Sequence, residues 1–242
     1  MHIGIVSTTK LVSDSDISWM VRAISEQAKD FAKDCNLAPW PVLFYKSLDD
    51  LPYADEVRPI VLCDDPNEFL GYHNYLAGAD YIYGRVFCKV IFDNGGKVLG
   101  GSDINVSDVL SHECLEMKGN PYITDYALGP QLPEGRWYAK EASDAVQRDI
   151  YQATSRTLWG TSQTVSLSNY LLPSWFSDKG GPPFDKLGRL VKPFSMSPGG
   201  YMIVKDDLGN QNEVYGDVKP PAWLMDMKHQ IGARTQQLAK KG

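Results

Sequence analysis

The chain has 242 residues, a formal net charge of −6 and a sequence pI of about 5.2. That length suits one sizeable domain or two small ones, and a composition 43% hydrophobic and 22% charged belongs to a globular chain rather than a disordered one. No Lys/Arg stripe of footprint size occurs, which argues against nucleic acid as a partner, and no window approaches the 18 apolar residues that a membrane span needs.

The first residues, MHIGIVSTTK, lack the charged region and long apolar run of a signal peptide, so cytoplasmic synthesis is expected. Release by another route, such as lysis or packaging in a virion, is compatible with that. The four cysteines, Cys35, Cys63, Cys88 and Cys114, are far apart and form no CxxC pair. They read as buried free thiols in a reducing compartment, not as a thiolate zinc site or a disulfide scaffold.

In chain order, His2 to Ser7 is a short β-rich run, and SDSD behind it offers helix N-cap residues. Ile17, Met20, Val21, Ile24, Ala28, Phe31 and Ala32 then recur at helical spacing, which predicts an amphipathic helix over about 16–34. Strands are expected at 42–46 (VLFYK), 58–65 (RPIVLCDD) and 84–92 (GRVFCKVIF). DNGG (93–96) reads as a hairpin or tight turn. Helical spacing returns over 104–118 through Val106, Val109, Leu110, Cys114 and Leu115, and Gly119, Asn120 and Pro121 stop it.

Beyond 120 the pattern becomes irregular and rich in Pro, Gly and aromatics, so a loop-rich C-terminal half is expected. Residues 138–151 are a candidate for a short helix or turn there, and 199–216 for a hairpin around LGNQ. The expected organisation is one domain over 1–218, divided into a sheet-and-helix part (1–120) and a loop-rich part (121–218). A C-terminal extension or tail follows over 219–242, and its basic end, ARTQQLAKKG, reads as a solvated tail.

The segment DVLSHECLEMKGNPY (108–122) carries the chemistry. On a helix, His112 and Glu116 lie one turn apart on one face and can reach one ion with an imidazole nitrogen and a carboxylate oxygen. Glu113 is one position round from His112, where it can lean over that ion. This is the logic of H-E-x-x-H, in which the intervening Glu takes a proton from metal-bound water, with Glu116 replacing the second His. Alone the motif is weak, since H-E-x-x-E arises by chance in roughly 2% of chains this long. The competing reading is an ordinary Glu-rich exposed helix face.

A third ligand is needed, and with only four His in the chain a carboxylate is favoured. Glu141 and Asp144, in E-A-S-D, sit three apart, so one helical turn would put both on one side. One could bind the ion while the other fixes the tautomer of His112.

SHECLE (111–116), NPY (120–122), EASD (141–144), SNYLLPSWF (168–176) and PGGY (198–201) come in the order found in a zincin-like HExxE metallopeptidase family of bacteria and their phages. DDPNEFLGYHNY (64–75) and YGRVF (83–87) extend that resemblance, which covers roughly residues 15 to 205. It implies an α/β (α+β) fold, with a mixed sheet, a long N-terminal helix and the HExxE helix packed on the sheet. It implies His112 and Glu116 as zinc ligands, Glu113 as general base, and Glu141 and Asp144 as the downstream acidic pair. Of that pair Glu141 is favoured as ligand, with Asp144 behind it. Relatives often carry Cys-Asp-Pro where this chain has Ser143, Asp144 and Ala145, and the segment 151–165 looks longer than usual.

Two further residues enter as candidates. His73, in GYHNY, could line the cleft as a substrate contact or proton donor, or be a turn histidine bonded to backbone. Tyr201, in PGGY, could donate to an oxyanion or be a packed aromatic. SNYLLPSWF reads by composition as a packing segment.

The expected function is a zinc-dependent peptidase or amidase acting on a peptide or protein substrate, with one divalent ion and Glu113 as base. The alternative is a non-catalytic structural protein, for example a phage virion or tail component that contacts other virion proteins.

Overall fold

The computed structural model describes residues 1–53, 55–67, 69–76 and 81–216. The expected tail, 219–242, lies outside them. The fold is mixed α+β. Its main sheet has the order β2-β1-β3-β5-β4, built from β1 (His2–Ser7), β2 (Val42–Tyr45), β3 (Val57–Cys63), β4 (Gly71–Leu76) and β5 (Tyr81–Phe87). Neighbours pair in parallel except at the edge, where β4 runs antiparallel to β5.

Helix α1 (Asp14–Asp34) starts where the SDSD run allows it, with the Ser13 side chain accepting from the Asp16 N–H. Its apolar face, including Ile17, Met20, Ile24, Ala28 and Phe31, is buried as the spacing predicts. After β5 comes a short helix α2 (Cys88–Asp93), then α3 (Val106–Gly119). The expected strand over 84–92 is therefore half right. It ends at Phe87, and Cys88 and Ile91 are buried one helical turn apart. DNGG closes α2 instead of making a hairpin. The Gly95 and Gly96 N–H groups donate to the carbonyls of Phe92 and Ile91, and Gly95 takes φ +80°.

Helix α3 is buried almost all round. It packs beside α1 and against β4 and β5, and the ribbon of β8 (Ile150–Arg156) and β9 (Ser162–Ser168) covers it. Between α3 and the ribbon lie β6 (Tyr126–Leu132) and β7 (Gly135–Ala139) in sequence. These join β10 (Tyr201–Lys205) and β11 (Gln211–Tyr215) in a four-stranded antiparallel sheet of order β11-β10-β7-β6. The hairpin expected over 199–216 is β10–β11.

One core fills the space among the main sheet, α1, α3 and β9, with Ile5, Ile24, Ile60, Val86, Leu110 and Leu167 among its members. A second centres on Tyr138, Val146, Trp175, Phe194 and Val204. The SNYLLPSWF segment packs as its composition predicts. Tyr170 and Trp175 are deeply buried, and their polar tips bond Asp34 and the Ser195 carbonyl.

Two glycines set how closely α3 lies on the sheet edge. A Cβ at Gly71 would stand 2.9 Å from Val109 Cγ1 and 3.0 Å from Glu113 Oε1, and one at Gly84 would stand 3.2 Å from Met117 Cε. The absence of those carbons lets the HECLE helix approach β4 and β5.

Candidate metal centre

The HECLE residues face β4, where His73 is paired in register with Gly84. His73 is thus a strand residue on the sheet's antiparallel edge, not a turn histidine. The far side of the site comes from the segment after β7. There Glu141 precedes a single 3-10 turn at Asp144–Val146, and Tyr201 opens β10 behind it. The close approach of Gly200 to the Ala145 carbonyl, 2.2 Å from where a Cβ would stand, seats Tyr201 against that turn. His73, His112, Glu113, Glu116, Glu141, Asp144 and Tyr201 all line one cavity, so every residue singled out from the sequence converges there. Asp108 and Arg148 line it as well.

Two triads form within the cavity. His112, Glu116 and Asp144 bring one ligand atom each to within 4.8 Å of one another, and so do His73, Glu116 and Glu141. Such buried imidazole–carboxylate groups could hold a metal ion. The acidic pair of EASD is divided between them. Asp144 Oδ1 lies 3.4 Å from His112 Nε2, whereas Glu141 Oε2 lies 3.8 Å from His73 Nε2. Glu141, favoured from the resemblance as the partner of His112, faces the other histidine, because no full helical turn forms over 141–144 to place both acids on one side.

Glu116 and Glu141 each have one oxygen held and the other aimed inward. Glu116 Oε1 accepts from the Ser143 N–H at 3.1 Å, which turns Oε2 toward His112 (3.1 Å) and His73 (3.8 Å). Glu141 Oε1 accepts from Asn120 Nδ2 at 2.8 Å. Asn120 is itself fixed, since its Oδ1 accepts from the N–H groups of Thr124 and Asp125. Glu113 Oε2 stands 3.5 Å from His73 Nδ1. Outer partners of this kind fix ligand orientation before an ion arrives. From the sequence Asn120 entered only as a helix stop and as part of the NPY match, not as a support for Glu141, and the Ser143 N–H did not enter at all.

The electrostatics follow from burial. Glu113, Glu116, Glu141 and Asp144 are all at most 5% exposed. Burial pushes the Glu113 carboxyl up, and it pushes Glu141 well up with Glu116 adding to it. Burial also disfavours the charged form of Glu116, but His112 and His73 reverse this and hold its carboxyl below its ordinary value. Burial would lower His73, yet Glu113, Glu141 and Glu116 raise it to about 9, and Glu116 and Asp144 raise His112 well above its usual range. Asp108, one turn before His112, is lifted to about 7 by burial. An ion bound here would have to displace protons from these groups.

Comparisons with protein-family models, with curated proteins and with solved structures find no match for this chain.

Proposed function

We propose that this chain is a zincin-like, metal-dependent hydrolase of peptide or amide bonds. The observation that carries the reading is the meeting of His112, Glu116 and Asp144 with Glu113 at their side in one buried cavity. One imidazole and two carboxylates fit a divalent ion, with zinc the first choice and harder ions tolerated. A bound ion would supply Lewis acidity, polarising a carbonyl and easing the ionisation of water.

Glu113 then takes the proton of the attacking water and delivers it to the leaving amine as the C–O bond forms and the C–N bond breaks. A carboxyl raised by burial is suited to both transfers. His73 Nδ1 holds Glu113 in place, and the Tyr201 phenol, hydrogen-bonded to Asp144, holds that ligand. A peptide substrate suits the position of β4, which is the edge strand of the main sheet and borders the cavity with Gly71 and Tyr72.

The test is metal analysis of the purified chain by mass spectrometry, with His112→Ala and Asp144→Asn alongside. At least one zinc per chain, diminished in both variants, supports the reading and justifies a peptidase screen against Glu113→Gln. No zinc after incubation with excess metal would sink it.

A second reading, a non-catalytic component of a particle, is favoured by one feature. Leu158 and Trp159, between β8 and β9, are 101% and 90% exposed, which is unusual for such large apolar residues. Under that reading Glu113→Gln changes no activity, and Leu158→Ser with Trp159→Ser abolishes incorporation into the particle.

A further inference from the structure

We propose that the cavity holds a pair of divalent ions bridged by Glu116, one completed by His112 and Asp144 and the second by His73 and Glu141. The inference rests on the metal reading above and extends it from one ion to two. Among the described residues, the two histidines never fall in one group of mutually close ligand atoms, whereas Glu116 belongs to both groups. A single ion therefore cannot collect both imidazoles from where they stand. Glu116 Oε2 lies between the two rings, 3.1 Å from His112 Nε2 and 3.8 Å from the Nδ1 side of the His73 ring.

The independent mark of the second ion is a pair of buried atoms that nothing satisfies. His73 Nε2 and Glu141 Oε2 face each other at 3.8 Å, and neither has a hydrogen-bond partner among the described residues. His73 is 7% exposed and Glu141 4%. Two ligands on one tetrahedral zinc stand about 3.4 Å apart, so this gap is close to the span that an ion bridges and too long for a hydrogen bond. The surroundings prepare both atoms for that role. Glu113 lies at Nδ1 of His73, which leaves Nε2 as the free nitrogen, and Asn120 holds the other oxygen of Glu141. A ligating histidine with a carboxylate at its far nitrogen is the usual supporting arrangement.

Charge supports the same count. Four carboxylates, Glu113, Glu116, Glu141 and Asp144, are buried around two imidazoles. Buried charge that is not neutralised is strongly unfavourable. With the four acids ionised and both imidazoles neutral, as ligation requires, one divalent ion compensates two of the four charges and two compensate all. Arg148, on the opposite wall, acts on Asp108. The mixed nitrogen–oxygen donor set suits zinc, manganese or cobalt, and paired ions about 3.5–4 Å apart are a common hydrolytic arrangement.

The experiment is a metal count on the full chain after saturation with zinc and removal of excess, with His73→Ala and Glu141→Gln in parallel. The Mn²⁺-loaded wild type is then examined by electron paramagnetic resonance. Two zinc ions per chain are expected, falling to one in either variant, with the spin-coupled spectrum of neighbouring Mn²⁺ ions in the wild type. The wild-type spectrum needs no variant to fold. One ion per chain with an uncoupled Mn²⁺ signal overturns the pair while leaving the single-ion hydrolase standing. No bound ion overturns both.

Discussion

The wall of the cavity that α3 and β4 supply is regular secondary structure, whereas the wall that residues 139–146 and 200–201 supply is mostly irregular chain, held by turns, isolated main-chain bonds between segments and side chains. His112, Glu113 and Glu116 ride on a helix buried on nearly every side, and His73 sits in a paired strand. Glu141 and Asp144 sit where the chain makes only one 3-10 turn, and they depend on the Asn120 amide and the packing of Tyr201. The first wall can set geometry without help. The second needs an ion, or protons, to settle its charges. Glu113 on the helical wall should therefore control chemistry, and the irregular wall should tune the affinity for metal that both walls supply.

The largest expected effect is on chemistry. Glu113→Gln keeps the shape of the helical wall and removes the base, so hydrolysis of any amide substrate that the wild type turns over should fall by roughly 10²–10⁴-fold. Bound metal should remain, as measured by mass spectrometry. Loss of metal along with activity would mean that Glu113 is a ligand and that the two walls do not divide the work.

Asn120→Ala strikes the irregular wall. It frees Glu141 Oε1 and leaves the N–H groups of Thr124 and Asp125 without their acceptor. Metal affinity should drop by about 10–100-fold, the usual consequence of losing an outer-shell partner. Isothermal titration with zinc measures this. An unchanged affinity would show that Glu141 needs no positioning.

Gly71→Ala tests how closely the helical wall must approach the sheet. The new methyl would press on Val109, on Glu113 and on the Arg85 carbonyl. Overpacking of this kind costs about 1–3 kcal/mol, read as a lower urea midpoint. A neutral substitution would mean that α3 has slack that the comparison denies it.

The helical wall was the legible one. His112, Glu113 and Glu116 lie within five residues, and helix periodicity alone puts His112 and Glu116 on one face. The placement of His73 was not legible, because GYHNYLAGAD shows no clean alternation, although its partner is the next strand in the chain. The split of Glu141 from Asp144 was equally hidden. A three-residue spacing means one face only if a helix forms, and Ser143 instead spends its N–H on Glu116. The end of β5 was lost for a related reason. In GRVFCKVIF the apolar residues satisfy a period of 2 and a period of 3.6 alike, and tertiary packing decides. Strands β8 and β9 went unread because IYQATSR and SQTVSLS are Ser/Thr-rich and mostly polar on their outer face.

The smallest expected effect concerns Asp108, an acid of the helical wall that belongs to neither triad. It is 7% exposed, and Asn105 Nδ2 donates to it at 2.7 Å. His112 on the same helix and Arg148 on the other wall also favour its charged form. Burial outweighs them and raises the carboxyl from 3.8 to about 7. A folded value above the unfolded one means that the native state binds the extra proton between those limits. Its contribution to stability is complete below about pH 4 and is lost as pH rises through 7. Asp108→Asn cannot titrate and keeps an oxygen for Asn105, so it should escape that loss. In metal-free protein, the variant's stability relative to wild type should improve by about 1–3 kcal/mol between pH 4 and pH 8, measured by urea denaturation across that range. A difference that stays constant with pH would show that Asp108 is charged at little cost. The helical wall would then be wetter than its packing implies, and its contrast with the irregular wall would narrow to one of backbone geometry.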